Sequence, residues 1–103
     1  MTAAPGATPP FRFVLFVAGD SPRSAQAAAN LRRLATERLA GRADITVVDV
    51  LADPDRAETD RILTTPTLVK ETPTPARRVT GDLSDLDQVS TALGLTSLWD
   101  VFA

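Results

Sequence analysis

The chain has no cysteine, no histidine and no tyrosine, and a single lysine, Lys70, among its 103 residues. Each absence removes a class of chemistry. Without cysteine there is no disulfide, no thiolate nucleophile and no thiol–disulfide exchange, because all three need a sulfur that ionises. Without histidine the usual general base near neutral pH is gone, and with cysteine also absent the common zinc ligands are missing. Catalysis would have to rest on carboxylates, Ser and Thr hydroxyls, or Lys70. No apolar run reaches the roughly 18–20 residues that span a bilayer. A net charge of −2 supplies no positive field for nucleic acid or an anionic membrane. The expectation is therefore no enzyme activity, no cofactor, no metal, no nucleic acid and no membrane. Residues 1–10 lack the basic and apolar regions of a signal peptide, and the lack of cysteine fits a reducing cytoplasm, the expected location.

What is present is an ordinary globular balance, 44% hydrophobic and 23% charged, in a length that suits one small domain. Phe11–Val17 is almost wholly apolar and rich in β-formers, as a central strand covered on both faces requires. Gly19-Asp20 turns the chain. Ser21 then suits a helix N-cap and Pro22 the first helical position. Ala28, Leu31, Ala35 and Leu39 recur at helical spacing, with Leu34 beside them, and Gly41 is expected to end that helix. Ile45–Val50 reads as a second strand, parallel to the first through a right-handed crossover. Asp53-Pro54 repeats the cap-plus-proline signal and opens a short helix over Pro54–Ile62. Thr67–Lys70 is a short strand, broken by Pro73 and Pro75, and Ala76–Thr80 is another. Ser84 with Asp87 resembles a capping box ahead of a final helix with Leu86, Val89 and Leu93 on one stripe and Gly94 at its end. The expected organisation is a disordered tail over 1–10, one domain over 11–95 and an apolar tail over 96–103. In that last tail Leu98, Trp99, Val101 and Phe102 either cap the core or meet a partner.

The resulting α/β order, β-α-β-α-β-β-α, is similar to that of thioredoxin-like domains. Those domains carry Cys-x-x-Cys where the first helix begins; here the matching residues are Ser21-Pro22-Arg23-Ser24. Thr65-Pro66-Thr67-Leu68 falls where they carry a cis-proline loop, which makes Pro66 a cis-proline candidate. With both cysteine positions occupied by serine, and no histidine to activate either hydroxyl, an oxidoreductase reading fails.

Four segments in order resemble the KaiB family of clock proteins. They are Phe16-Val17-Ala18-Gly19-Asp20-Ser21-Pro22-Arg23-Ser24, Val48-Asp49-Val50-Leu51-Ala52-Asp53-Pro54, Ile62-Leu63-Thr64-Thr65-Pro66-Thr67-Leu68 and Pro75-Ala76-Arg77-Arg78-Val79-Thr80-Gly81-Asp82-Leu83-Ser84. The resemblance implies a metamorphic domain with two folds. One is the thioredoxin-like, monomeric, fold-switched state; the other is the tetrameric ground state, β-α-β-β-α-α-β, with the switch mapping to about Leu51–Leu95. It also implies a non-enzymatic protein that binds the KaiC ATPase ring, with KaiA or a SasA-type histidine kinase as further partners. An alternative is a redox-inactive thioredoxin-like sensory or interaction domain that works with such a kinase. The partner-facing positions carried over are Arg23, Gln26, Arg61, Arg77 and Arg78, although a solvated strand face accounts equally well for Arg77-Arg78. At two positions the chain departs from the family's Gly-x-Asp pattern, with Ala92 and Gly94 in their place. Alanine favours a helix over glycine by about 1 kcal/mol, and glycine suits a helix end. Both changes therefore point toward the thioredoxin-like state.

Overall fold

The computed structural model describes residues 10–95. The expectations for 1–9 and for the apolar tail over 96–103 lie outside the described residues. The elements run β1 (Phe11–Val17), α1 (Pro22–Leu39), β2 (Ala43–Asp49), α2 (Pro54–Thr59), β3 (Thr67–Thr72), β4 (Arg77–Thr80) and α3 (Leu86–Ala92). This is the expected order. The sheet is arranged β2-β1-β3-β4, with β1 and β2 parallel and the pairs β1–β3 and β3–β4 antiparallel. β1 is thus central, which explains its continuous apolar run.

Side chains alternate across β1. Phe13, Leu15 and Val17 face α1 and α3 and join Leu31, Leu34, Leu68, Val89 and Leu93 in the main core. Val14 and Phe16 face the other way, with Val48 buried beside them and Val50, Ile62 and Val69 partly buried around them. That second face is thinly covered, because α2 contributes no buried residue. Arg56 of α2 lies over the Phe16 ring, 5.7 Å from its centroid.

Several boundaries differ from the sequence expectation. The left-handed step that ends α1 falls on Ala40 (φ 53°), one residue before Gly41 (φ 75°). α2 stops at Thr59 rather than Ile62, because Arg61 turns left-handed (φ 55°) and the Ile62 N–H donates to the Ala57 carbonyl. α3 is capped by Asp85, whose carboxylate accepts from the Gln88 N–H at 3.1 Å, and not by Ser84 with Asp87. The reason is an Asx turn: the Asp82 carboxylate holds the Ser84 N–H at 3.1 Å, so the chain is still turning at Ser84. Asp87 pairs instead with Arg38 of α1, at 2.6 Å.

Candidate functional site

The serines at the redox positions are used for structure. Ser21 Oγ accepts from the Ser24 N–H at 3.2 Å and donates to Ser24 Oγ at 2.8 Å. Ser24 is buried, and its Oγ also accepts from the Ala18 N–H at 3.3 Å. The pair caps α1 and ties it to the end of β1. Among the described residues, no group of three His, Cys, Asp or Glu side chains is placed to hold a metal ion, and no helix is long and apolar enough to cross a membrane. The Thr65–Pro66 peptide is cis, as are Thr72–Pro73 and Thr74–Pro75.

The end of the sheet near these serines is organised by Asp49. Its Oδ1 accepts from the Gly19 N–H at 3.0 Å and from the Leu51 N–H at 2.9 Å. One carboxylate thus fastens the β1–α1 loop to the turn that leads to α2. These amide donors, Gly19 first, hold the Asp49 carboxyl below its ordinary range. A lowered carboxyl pKa gives stability that is present above the ordinary value and is lost as the pH falls through the lowered one. An Asp49→Asn variant should therefore lose less stability on acidification than the parent. Melting temperature followed from pH 7 to pH 2 checks this, and parallel acid limbs would refute it.

The five candidate partner-facing residues do not form one patch. Arg23 and Gln26 are exposed on the first turns of α1. The Arg23 guanidinium lies over the turn after β4, where Nη2 is 4.0 Å from the position a Cβ on Gly81 would take. Arg61 and Arg78 are brought together. Arg78 donates from Nη1 to the Arg61 carbonyl at 3.2 Å and from Nη2 to the Asp60 carbonyl at 3.0 Å. Arg78 is therefore a clasp between β4 and the end of α2, a role its sequence position does not reveal. Arg77 points to the opposite face, across from Lys70 on β3.

Three residues matter here that the sequence reading did not single out as site residues. Asn30 of α1 is buried and donates from Nδ2 to the Asp82 carbonyl at 2.8 Å. Its signal was available: a polar residue set among Ala27, Leu31 and Leu34 on the core stripe. Arg56 links Asp60, at 2.8 Å, to Glu71 of β3, at 3.9 Å, and the Asp60 hydrogen bond raises its pKa. Lys70, considered above only as a possible catalyst, is 4% exposed, with Nζ 2.7 Å from the Pro73 carbonyl. Burial first, and then the Arg77 charge, push its pKa below the ordinary lysine value. Holding that charge in the folded chain costs stability at neutral pH. The cost is relieved as the pH rises from the lowered pKa toward the ordinary one.

Residues 14–95 match the family model described as KaiB domain. Circadian clock protein KaiB3 of Synechocystis sp. is 41% identical over 81 residues, 79% of each chain. Circadian clock oscillator protein KaiB of Parasynechococcus marenigrum is 45% identical over 89 residues, 86% of this chain and 84% of the relative. Among solved structures, the N-terminal domain of Synechococcus elongatus SasA superposes with a TM-score of 0.69 at 26% identity, covering 91% of this chain and 93% of that domain. Chloroplastic thioredoxin z does so with a TM-score of 0.69 at 27% identity, covering 87% and 80%.

Proposed function

The chain belongs to the KaiB family of circadian clock proteins, and from that premise we propose that it is a non-enzymatic clock or timer protein whose thioredoxin-like state binds a KaiC-type ATPase ring. The observation that carries this reading is the meeting of two likenesses in one chain, a KaiB sequence and the thioredoxin-like shape of a SasA N-terminal domain. A surface held in that shape can meet a partner only while the shape is populated. Apparent affinity then scales with the fraction of chain in it. Residues 11–95 form the working domain; Arg61 and Arg78, which the fold brings together, supply polar contacts on one face, and Arg23, Gln26 and Arg77 are candidate contacts outside that pair. The likeness to SasA favours one further role, competition with, or assistance to, a SasA-type kinase on the same ring.

The test is co-elution of the full chain with the cognate KaiC on size-exclusion chromatography, with and without nucleotide. Arg61→Glu should weaken the complex while leaving the circular dichroism spectrum unchanged, because the Arg61 side chain is exposed and only its carbonyl holds Arg78. Arg78→Glu should weaken it and also lower the melting temperature, because the clasp to Asp60 and Arg61 is lost. Undiminished co-elution of both variants would remove this surface from the interface. Failure of the parent chain to co-elute would remove the reading.

A further inference from the structure

β4 is an edge strand, and among the described residues no strand pairs with its outer side. Beside it runs a groove of about 200 Å³. One wall is the cap of α3, Asp85, with a single stripe of the helix, Gln88, Val89 and Ala92, at i, i+3, i+4 and i+7. The other wall is Val79 and Thr80 of β4, and Arg23 closes the end near Gly81. An edge strand with a helix alongside supplies both parts of a peptide-recognition site. The strand's free N–H and C=O groups pair with an added strand, and the gap between strand and helix takes an alternate side chain. Val79 and Val89 make that gap apolar at its floor.

The charges decide which peptide fits. The two carboxylates of the groove are already engaged: Asp82 accepts from the Ser84 N–H and faces Arg23, and Asp85 caps α3. At the other end of β4, Arg77 is exposed, and its guanidinium makes no hydrogen bond or ion pair among the described residues. It faces Lys70, a like charge. An incoming carboxylate there would meet the exposed Arg77 guanidinium, with Lys70 buried behind it. The opposite edge of the sheet, β2, carries exposed Asp44 on the strand and exposed Asp20 beside its own groove, whose Asp49 is engaged by backbone N–H groups as Asp82 and Asp85 are. The exposed arginine at β4 and the exposed acids at β2 favour β4 for an acidic strand.

We propose that the groove between β4 and α3 binds an extended acidic peptide segment of a partner protein, added as a fifth strand on β4, with an apolar side chain over Val79 and Val89 and a carboxylate at Arg77. This goes beyond the ring-binding reading and does not depend on it.

The experiment uses the full chain and a fluorescein-labelled peptide, Val-Thr-Val-Asp-Glu, blocked at its C-terminus, read by anisotropy and by ¹⁵N amide shifts. The expected result is saturable binding with shifts confined to residues 77–80 and 85–92. The same peptide with lysine in place of both acids should not bind. Arg77→Glu should weaken binding roughly three- to fivefold, the size expected for one exposed charge pair. Ala92→Trp, which fills the groove from an exposed position, should abolish it. Absence of saturation, shifts along β2 instead of β4, or equal affinity of the parent and Arg77→Glu would each overturn the proposal. Because Arg77 is exposed, that variant decides the matter even if the tryptophan perturbs α3. The assay contains no KaiC, so its failure and the failure of ring binding are separate results.

Discussion

Replacing Leu93 by alanine should lower the melting temperature by at least about 8 °C and should free α3 before the rest of the chain. Leu93 is fully buried at the end of α3, in the same cluster as Phe13, Leu34 and Leu39. Truncating a buried leucine removes its transfer energy and leaves a cavity, which together cost roughly 2–5 kcal/mol. Each kcal/mol shifts the midpoint of a domain this size by about 4–8 °C. α3 has seven residues, too few to be stable without its packing. Hydrogen exchange should therefore rise first over residues 86–92, with β1 amides protected longest. The neighbouring swap, Ala92→Gly, gives the contrast. Ala92 is exposed and is the last helical residue, so the glycine costs at most about 1 kcal/mol. The position the family comparison draws attention to is thus the weaker lever, and the buried leucine beside it is the stronger. Equal melting temperatures for Leu93→Ala and the parent would mean that α3 is not held by this contact.

Asn30→Leu should cost about 1–3 kcal/mol, although leucine has the same branched side-chain skeleton as asparagine and belongs on an apolar stripe. The substitution removes the donor that the Asp82 carbonyl uses and leaves that group facing an apolar side chain. Asn30 belongs to α1, and Asp82 to the loop that delivers the chain from β4 into α3. This hydrogen bond is a direct tie between the first half of the chain and the second, the half the family resemblance assigns to fold switching. Denaturant unfolding gives the cost. Amide exchange at Gly81–Asp85 shows whether the loop is the part released. Stabilisation by the leucine would show that the carbonyl finds another donor and that the tie is dispensable.

These two residues also show where the sequence was readable. The strand of β1 and the stripe of α1 were legible because each rests on repetition, many apolar residues at one period, and burial follows directly. The starts of α1 and α2 were legible because Ser21-Pro22 and Asp53-Pro54 act on their own first turns, and both side chains accept the expected amide. The start of α3 was misread because Ser84, Asp85 and Asp87 all have capping chemistry. The choice among them was made by Asp82, two residues before Ser84, and by Leu83 turning left-handed at φ 64°. Interactions between distant segments were not legible. Nothing in Arg77-Arg78 says that one guanidinium clasps the carbonyls of Asp60 and Arg61 while the other stays free. That division follows from which face of β4 each residue occupies and from where α2 ends, and both are properties of the assembled sheet.

Lys70 gives this chain an unusual relation to protein modification. It is the single side-chain amine, and in the folded chain it is 4% exposed, with its nitrogen held against the Pro73 carbonyl. Enzymes and reagents that acetylate, acylate, cross-link or tag proteins through lysine find no accessible side-chain target while β3 and β4 stay paired. They find one when that hairpin opens. Acylation at Lys70 is then a chemical clock of its own. Its rate reports how often the ammonium leaves the Pro73 carbonyl and reaches solvent, and a chain acylated there cannot restore that contact on closing.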